Sequence, residues 1–216
     1  MCGYSDRYVC LMGGLAYIDF RGKLLHKPLR KEPLAMYEKL DRYVDYLPLL
    51  IAYLGVQRNS GEVHSKFRRA YMNELEQVRR GKLEKRKARI IRTMHRVGLT
   101  AMKGKYALLE EDWETFGKLM NENHKLVDHA MKLAGFKHGA GYFNNAIIKH
   151  ALKNGALGAK LSGAGGGGSI IILVEPGKEI KFKTNIEKYM KSLGLDNSRV
   201  YLFELSKKGA IVLNQS

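Results

Sequence analysis

Five glycines occupy the six positions from 163 to 168, within the segment KLSGAGGGGSIIILV that spans residues 160–174. Each glycine costs about 0.5 to 1 kcal/mol relative to alanine inside regular structure, because the backbone loses more conformational freedom there. The apolar run IIILV follows at once and is typical of a buried strand. The fold must therefore accommodate a turn of bare backbone that leads directly into the core.

This glycine-rich turn has more than one interpretation. Main-chain N–H groups can crowd around an anion where no Cβ blocks the approach, which is a common way to hold phosphates. The segment is not a P-loop, because no G-K-[ST] follows, and it is not a dinucleotide fingerprint, because a strand rather than a helix comes next. A tight hairpin without a ligand remains an equal alternative. The apolar strand argues against a flexible linker.

The middle of the chain predicts helices. Residues 61–135 contain no proline, and leucines, methionines and aromatic residues recur there at steps of three and four. We expect three helices, interrupted near Gly81 and around residues 110–112. Asp112 is a suitable N-cap for the third helix, and Gly135 is a suitable stop.

Other elements are predicted on both sides of this region. Shorter helical patterns occur at residues 5–14, 142–154 and 178–193. Apolar or alternating runs predict strands at residues 15–20, 24–29, 46–56, 158–163, 168–175, 199–205 and 210–213. This order indicates an α+β fold in which helices cover one side of an antiparallel sheet.

The formal net charge of +17 implies attraction to polyanions. Nucleic acid, acidic membrane surfaces and phosphorylated small molecules are all compatible with it. Basic residues are densest over residues 79–92, RRGKLEKRKARIIR, a segment without interleaved aromatic residues for stacking on bases. A solvated helix face is the commoner explanation of such a run.

No apolar run approaches the roughly 20 residues of a membrane span, and the first six residues lack the pattern of a signal peptide. We therefore predict a cytoplasmic protein without a membrane partner. Cys2 and Cys10 do not form a disulfide framework, and no spacing suggests a metal site. Five scattered histidines are expected to be solvated: His26, His95, His124, His129 and His150.

Residues 146–174, AIIKHALKNGALGAKLSGAGGGGSIIILV, closely resemble the third conserved motif of the GHMP kinases. This family includes galactokinase, homoserine kinase, mevalonate kinase and phosphomevalonate kinase; Ser169 stands where many members carry cysteine. Residues 3–20, GYSDRYVCLMGGLAYIDF, resemble the segment that follows the family's phosphate loop. NSGEVHSKFRRAY, residues 59–71, is similar to glucuronokinase and related sugar kinases, and residues 119–135 resemble the helix before the substrate-binding turn.

The resemblance covers essentially the whole chain and implies its organisation. Residues 1–56 would be a remnant of the N-terminal kinase domain, and residues 57–216 the C-terminal domain with a ferredoxin-like antiparallel sheet. The family's upstream phosphate loop, P-x-x-x-G-L-[GS]-S-S-A, has no counterpart in this sequence. The resemblance thus implies a shortened chain, a second chain that supplies the other half, or a homodimer.

The same resemblance implies ATP and Mg²⁺ as cofactors, a sugar or sugar acid as substrate, and a set of site residues. Asp6 matches the catalytic base of galactokinase-like members; its structural alternative is a first-turn helix residue favoured by the helix dipole. The phosphate- or substrate-binding residues are Ser162, Gly163, Ala164, Gly165, Gly166, Gly167 and Gly168. Further substrate contacts, for which surface or capping roles are equal alternatives, are Tyr17, Asp19, His64, Ser65, Arg68, His138, Gly139 and Tyr142.

Two other functions stay open from sequence. The chain could be a nucleic-acid-binding protein that uses residues 79–92 as its phosphate contact surface, although nucleic acid is the less favoured partner. It could also be a non-catalytic homologue that retains the kinase fold.

Overall fold

The computed structural model describes residues 4–20, 35–56 and 59–211. The described part of the chain divides into two compact units. The larger unit is Pro48–Phe203, and the smaller one contains the described residues between 4 and 47 together with 204–211. Helices and antiparallel strands make up both units, so the predicted α+β class is confirmed.

The smaller unit contains one helix and one two-stranded sheet. Helix α1 is Tyr4–Met12, strand β1 is Ala16–Asp19 and strand β2 is Met36–Lys39. The two strands pair in antiparallel fashion. The Tyr37 hydroxyl donates to the carbonyl of Gly13 over 2.7 Å, which ties β2 to the end of the helix.

Two strands predicted for this unit are not found among the described residues. The strand expected at residues 24–29 lies outside the described residues, and the partner of β1 is β2, which the sequence analysis missed. Residues 210–211 were expected to begin a strand, and this is wrong, because neither is in a strand. The Ala210 N–H instead donates to the carbonyl of Leu11 over 3.2 Å, so tertiary contact with α1 takes the place of a ladder.

The larger unit holds five helices among the described residues. They are α2 (Ser60–Arg79), α3 (Arg89–Leu109), α4 (Trp113–Leu133), α5 (Tyr142–Lys153) and α6 (Glu179–Ser192). The three helices predicted over residues 61–135 are confirmed as α2, α3 and α4. The Thr115 N–H donates to Asp112 Oδ1 over 2.9 Å, which is the expected cap of α4. Gly135 follows the end of α4 at φ +84°, as expected for a glycine stop.

The N-terminus of α3 is capped from another helix. The Glu74 carboxylate on α2 accepts from the N–H groups of Arg89 and Ile91, at 2.7 and 2.8 Å, and from that of Ile90 at 3.2 Å. These groups have no partner within their own helix, and a negative charge there is favoured by the helix dipole. Glu74 therefore fixes α2 and α3 to each other.

The larger unit contains a four-stranded antiparallel sheet in the order β4-β5-β3-β6. Its strands are β3 (Leu49–Tyr53), β4 (Gly158–Ser162), β5 (Ser169–Leu173) and β6 (Arg199–Leu202). With α5 and α6 these strands form a strand–helix–strand–strand–helix–strand unit with β3 and β5 in the centre, the ferredoxin-like arrangement. Residues 49–53 were expected in the first domain, whereas the pairing of β3 places them inside this sheet.

One face of this sheet forms the main core. Register places Leu50 and Ala52 on the same face as Ile170 and Ile172, and all four are buried. Helices α5 and α6 cover that face with the buried side chains Ile147, Ile148, Ala151, Phe182, Ile186 and Met190. The opposite face carries the buried side chains Leu49 and Leu173 at one end. Its other side chains are half-buried or exposed, namely Ile51, Tyr53, Lys160, Ile171, Arg199 and Tyr201. Helices therefore pack on one side of the sheet, as predicted.

Helix α4 closes the edge of the sheet beside β4. Asn121 Nδ2 donates to the carbonyl of Leu157 over 3.1 Å, and its Oδ1 accepts from the Ala159 N–H over 2.9 Å. Gly117 makes this approach possible, because a Cβ there would lie 2.5 Å from the Leu157 carbonyl oxygen. One asparagine side chain thus takes the place of a neighbouring strand.

Candidate functional site

The glycine-rich segment is a defined hairpin. Residues 163–168 connect β4 to β5, and the flanking Ser162 and Ser169 pair with each other. All five glycines have φ between +73° and +136°. Side chains of L-residues rarely adopt this region, so the glycines are required by the backbone conformation. The alternative of a flexible linker does not describe this turn.

One side of the hairpin packs closely against neighbouring backbone. A Cβ on Gly165 would lie 2.8 Å from the carbonyl oxygen of Ala140, and one on Gly167 would lie 3.2 Å from that of Val56. A Cβ on Gly166 would meet no atom within 4 Å. The loop therefore has a packed inner side and an open outer side, and any ligand must approach from the open side.

Several backbone groups of the hairpin are used by the fold. The Gly166 N–H donates to the Ala140 carbonyl over 2.7 Å, and the Leu54 N–H donates to the Gly168 carbonyl over 2.9 Å. Within the described residues, the N–H groups of Gly163 and Ala164 donate to no protein acceptor. These two amides can serve an anion, because glycine-rich backbone lets successive N–H groups point at one ligand.

Asn144 on α5 holds the far end of the hairpin, and the sequence analysis missed it. Its Nδ2 donates to the Gly167 carbonyl over 3.1 Å, and its Oδ1 accepts from the Gly167 N–H over 2.9 Å. The side chain is 1% exposed. This contact requires glycine at position 141, since a Cβ there would overlap Asn144 Oδ1. The helical pattern of α5 gave no signal for this role, because one asparagine on a helix usually faces solvent.

The turn before α5 is fixed by a carboxylate. Asp128 Oδ1 accepts from the Ala140 N–H at 2.9 Å and from Asn145 Nδ2 at 2.8 Å, and Oδ2 pairs with Lys132 at 2.6 Å. Burial raises the pKa of Asp128, but these hydrogen bonds outweigh it and hold the pKa below its usual value. Gly139, at φ +55°, has no room for a side chain against Asp128. The carboxylate therefore sets the position of the Ala140 carbonyl that receives the hairpin.

His138 and Tyr142 lie at the ends of this turn and are exposed. Their rings are 5.9 Å apart in an edge-on arrangement. The His138 carbonyl accepts from the Gly141 N–H over 2.9 Å. Two predicted substrate contacts are thus adjacent to each other on the turn that supports the glycine hairpin, while Gly139 between them is buried.

Two histidines are not solvated, which corrects the sequence analysis. His124 is 8% exposed, and its Nε2 lies 3.1 Å from Asn145 Oδ1. Burial lowers the pKa of His124, and Asp128 only partly offsets this. The His150 ring stacks on Tyr189 with centroids 3.7 Å apart. Both side chains face packed neighbours that sequence spacing does not reveal.

Helix α2 also reaches the region of the hairpin. Its Val63 and Phe67 pack with Met131, Ala140 and Leu161, the residues that lie under the hairpin and the turn. Three further predicted contacts project from the first turns of this helix and are exposed, namely His64, Ser65 and Arg68. The larger unit thus contains the hairpin, the turn and the start of α2, and all three carry predicted site residues.

The remaining predicted residues belong to the smaller unit. Asp6 is exposed in the first turn of α1. Tyr17 and Asp19 lie on β1, half-buried, opposite Glu38 and Met36 of β2. The catalytic role of Asp6 and the substrate contacts of Tyr17 and Asp19 stay predictions.

The basic segment at residues 79–92 lies at the end of α2 and the start of α3. Its charges are partly balanced, because Arg80 pairs with Glu76 while Arg86 and Lys87 pair with Glu84. Exposed pairs of this kind contribute little to stability. The use of this segment as a phosphate contact surface stays a prediction.

Within the described residues no three acidic, histidine or cysteine side chains are grouped closely enough to hold a metal ion. In that same part of the chain no helix is long and apolar enough to cross a membrane.

A comparison with family models matches residues 105–192 to the C-terminal domain of the GHMP kinases. The D-glycero-alpha-D-manno-heptose 7-phosphate kinase of Campylobacter jejuni is 25% identical over 212 residues, which is 96% of this chain and 52% of that protein. The mevalonate kinase of Pyrococcus furiosus is 28% identical over 186 residues, covering 84% of this chain and 45% of the relative. The chain thus spans about half the length of these curated relatives.

Among solved structures, L. major mevalonate kinase in complex with R-mevalonate superimposes with a TM-score of 0.57 and 19% identity. The match covers 92% of this chain and 51% of that structure. At this identity the likeness concerns the fold alone.

Proposed function

This chain belongs to the GHMP kinase family, and from that premise we propose that it takes part in ATP-dependent phosphorylation of a hydroxyl group on a sugar or sugar acid. The observation that carries the proposal is the glycine hairpin, whose outer side is open and whose Gly163 and Ala164 amides are not used by the described fold. A heptose 7-phosphate kinase and galactokinases among the relatives support a sugar-type acceptor.

A phosphoryl group fits the hairpin on structural grounds. The loop offers N–H donors on bare backbone, and the chain has a net charge of +17. Phosphate binds well where backbone amides converge. Mg²⁺ in kinases usually keeps several waters and is held by one or two carboxylates plus substrate phosphates, so a dedicated protein cage is not required. We therefore retain ATP and Mg²⁺ as proposed cofactors, with ATP supplying the phosphoryl group.

Phosphoryl transfer needs mainly positioning and charge neutralisation from the protein. In the proposed mechanism, Asp6 accepts the proton of the acceptor hydroxyl, a role that typically contributes about 10² to 10⁴-fold. The backbone amides of Gly163 and Ala164 donate to the anionic group. The proposed acceptor contacts are Tyr17, Asp19, His64, Ser65, Arg68, His138, Gly139 and Tyr142.

The chain spans about half the length of these relatives. We propose as its partner a second chain that carries the phosphate loop, or a second copy in a homodimer. A cytoplasmic location, where ATP is abundant, belongs to the same proposal. The division into a remnant of the N-terminal kinase domain at residues 1–56 and a C-terminal domain at residues 57–216 is also proposed, with β3 as a strand of the larger unit's sheet.

The test is ADP release from ATP and Mg²⁺ by the purified chain across a panel of sugars, sugar acids and sugar phosphates. Asp6→Asn should lower turnover by about 10² to 10⁴-fold. Asp196→Asn, at a matched exposed carboxylate before β6, should leave it unchanged. The assay is repeated after addition of a separately expressed phosphate-loop half from a relative. Activity restored by that addition would establish a split arrangement. Turnover in Asp6→Asn within about tenfold of wild type would exclude the proposed base. The absence of ADP release in every mixture would refute kinase activity.

A further inference from the structure

Asn144 is a polar side chain at a position that packing alone does not explain. It is 1% exposed and lies on the buried face of α5 with Ile147, Ile148 and Ala151. An unpaired amide would be strongly unfavourable there, since buried polar groups are tolerated only when they are hydrogen-bonded. The reason for an asparagine must therefore be found in what it binds.

Both hydrogen bonds of the Asn144 carboxamide go to one residue of the glycine hairpin. Nδ2 donates to the Gly167 carbonyl and Oδ1 accepts from the Gly167 N–H, at 3.1 and 2.9 Å. The carboxamide thus pairs with the main chain of Gly167 as a neighbouring strand would. Gly167 has φ +136°, a conformation in which glycine is the usual residue. Because glycine has no side chain of its own to restrain the backbone, the hydrogen bonds from Asn144 restrain the loop at this residue.

The backbone next to Gly167 is held by a second set of hydrogen bonds. Gly166, next to Gly167, donates to the Ala140 carbonyl over 2.7 Å, and Ala140 is itself held by Asp128. Gly141 leaves space for the carboxamide, because a side chain there would overlap Asn144 Oδ1. The C-terminal half of the hairpin is therefore bound at two successive residues. Gly163 and Ala164, at the N-terminal end of the hairpin, carry two of the amides that the described fold leaves unused.

We propose that Asn144 is a positioning residue: it holds Gly167 so that the amides of the N-terminal half of the hairpin converge on an anionic phosphoryl group. This inference rests on the proposed function and names a residue that acts on that site through the loop. It also explains why the helix after the turn carries a buried amide rather than an aliphatic side chain.

Asn144→Asp provides a test that can be reversed by pH. Ionised, the introduced carboxylate can still accept from the Gly167 N–H but faces the Gly167 carbonyl with negative charge. Protonated, it can accept and donate as the amide does, and burial raises the pKa of such a carboxyl. The pH response is therefore read beside Asn144→Leu, which fills the site without charge but cannot make either hydrogen bond. Asn154→Asp, at the exposed end of the same helix, is the matched control.

The measurement is the titration of ¹⁵N-labelled full-length chain with inorganic pyrophosphate, followed through the amide signals of Gly163 and Ala164. His124 and Asp128 are ionisable groups near the hairpin, and the ligand itself changes ionisation with pH. Each affinity is therefore expressed relative to wild type at the same pH. We expect Asn144→Asp to bind pyrophosphate about tenfold more weakly than wild type at pH 8, and with an affinity within about threefold of wild type at pH 5. Asn154→Asp should match wild type at both.

A second variant, Asn144→Leu, removes both hydrogen bonds without adding charge and should be weak at every pH. Affinities within twofold of wild type for both folded variants would overturn the positioning role while leaving the proposed function intact. If wild type itself shows no shift with pyrophosphate, the phosphate role of the hairpin fails and this inference fails with it. If neither variant folds by circular dichroism, Asn144 is a folding residue and the inference is overturned.

Discussion

Alanine substitutions at two adjacent glycines of the hairpin should differ in cost. Gly165 and Gly166 both have positive φ, +85° and +74°, so alanine at either position carries the same conformational penalty. Their surroundings differ. A Cβ on Gly165 would lie 2.8 Å from the Ala140 oxygen and 3.1 Å from side-chain carbons of Leu161 and Met131, whereas one on Gly166 would meet nothing within 4 Å.

The magnitudes follow from these distances. Placing alanine in the left-handed region costs about 1 to 2 kcal/mol, which is the whole expected loss for Gly166→Ala. Gly165→Ala adds the overlap with a backbone oxygen that is itself held by the Gly166 N–H, and such overpacking costs about 1 to 3 kcal/mol more. We therefore expect a total of about 2 to 5 kcal/mol for Gly165→Ala. Effects on the unfolded chain are common to both variants and cancel in the difference.

The assay is equilibrium unfolding in urea, followed by circular dichroism and extrapolated to water. The quantity of interest is the difference in unfolding free energy between the two variants, expected to be about 1 to 3 kcal/mol. Equal destabilisation of the two variants, or a larger loss for Gly166→Ala, would refute the conclusion that Gly165 lies on a packed side of the hairpin and Gly166 on an open side.

Three further predictions concern stability in the larger unit. Burial lowers the pKa of His124, so below the unfolded-state value of about 6.5 the unfolded chain binds more protons and stability should fall by up to about 1.4 kcal/mol per pH unit. His124→Gln should make the unfolding free energy less dependent on pH between pH 6.5 and 5, and exposed His129→Gln should not. An unfolding free energy that still falls steeply with pH in His124→Gln would contradict this. Asn121→Ala should cost about 2 kcal/mol in urea unfolding, since it leaves two groups at the β4 edge unpaired. Glu74→Gln should cost about 1 kcal/mol through a weaker cap on α3, and salt should reduce that loss; an unchanged midpoint would exclude the cap.

Local chemistry accounts for what the sequence predicted well. The breaks between α2, α3 and α4, the cap at Asp112 and the stop at Gly135 all depend on residues within one turn of the feature. The glycine hairpin was equally visible, because a run of residues without Cβ followed by an apolar strand has few local solutions. Such features need no knowledge of the rest of the chain.

Tertiary partners account for what was missed. The four residues of β2 have no apolar alternation and become a strand because β1 lies beside them. Asn144 and His124 look like ordinary polar residues on amphipathic helices, and only the neighbouring hairpin and Asn145 reveal their burial. The strand predicted at residues 210–213 fails at its described start because the end of α1 binds Ala210. In each case the deciding contact comes from a distant part of the sequence.

The asparagine of α4 that pairs with the β4 edge also bears on how copies of this chain can associate. An outer strand with free N–H and C=O groups is a template for another strand, and growth into fibrils needs such a template at both ends of the sheet. Asn121 occupies the groups at Leu157 and Ala159, so the β4 end cannot recruit a strand there. Within this four-stranded sheet β6 is the other outer strand, and pairing of two copies through β6 alone would end at two molecules instead of propagating.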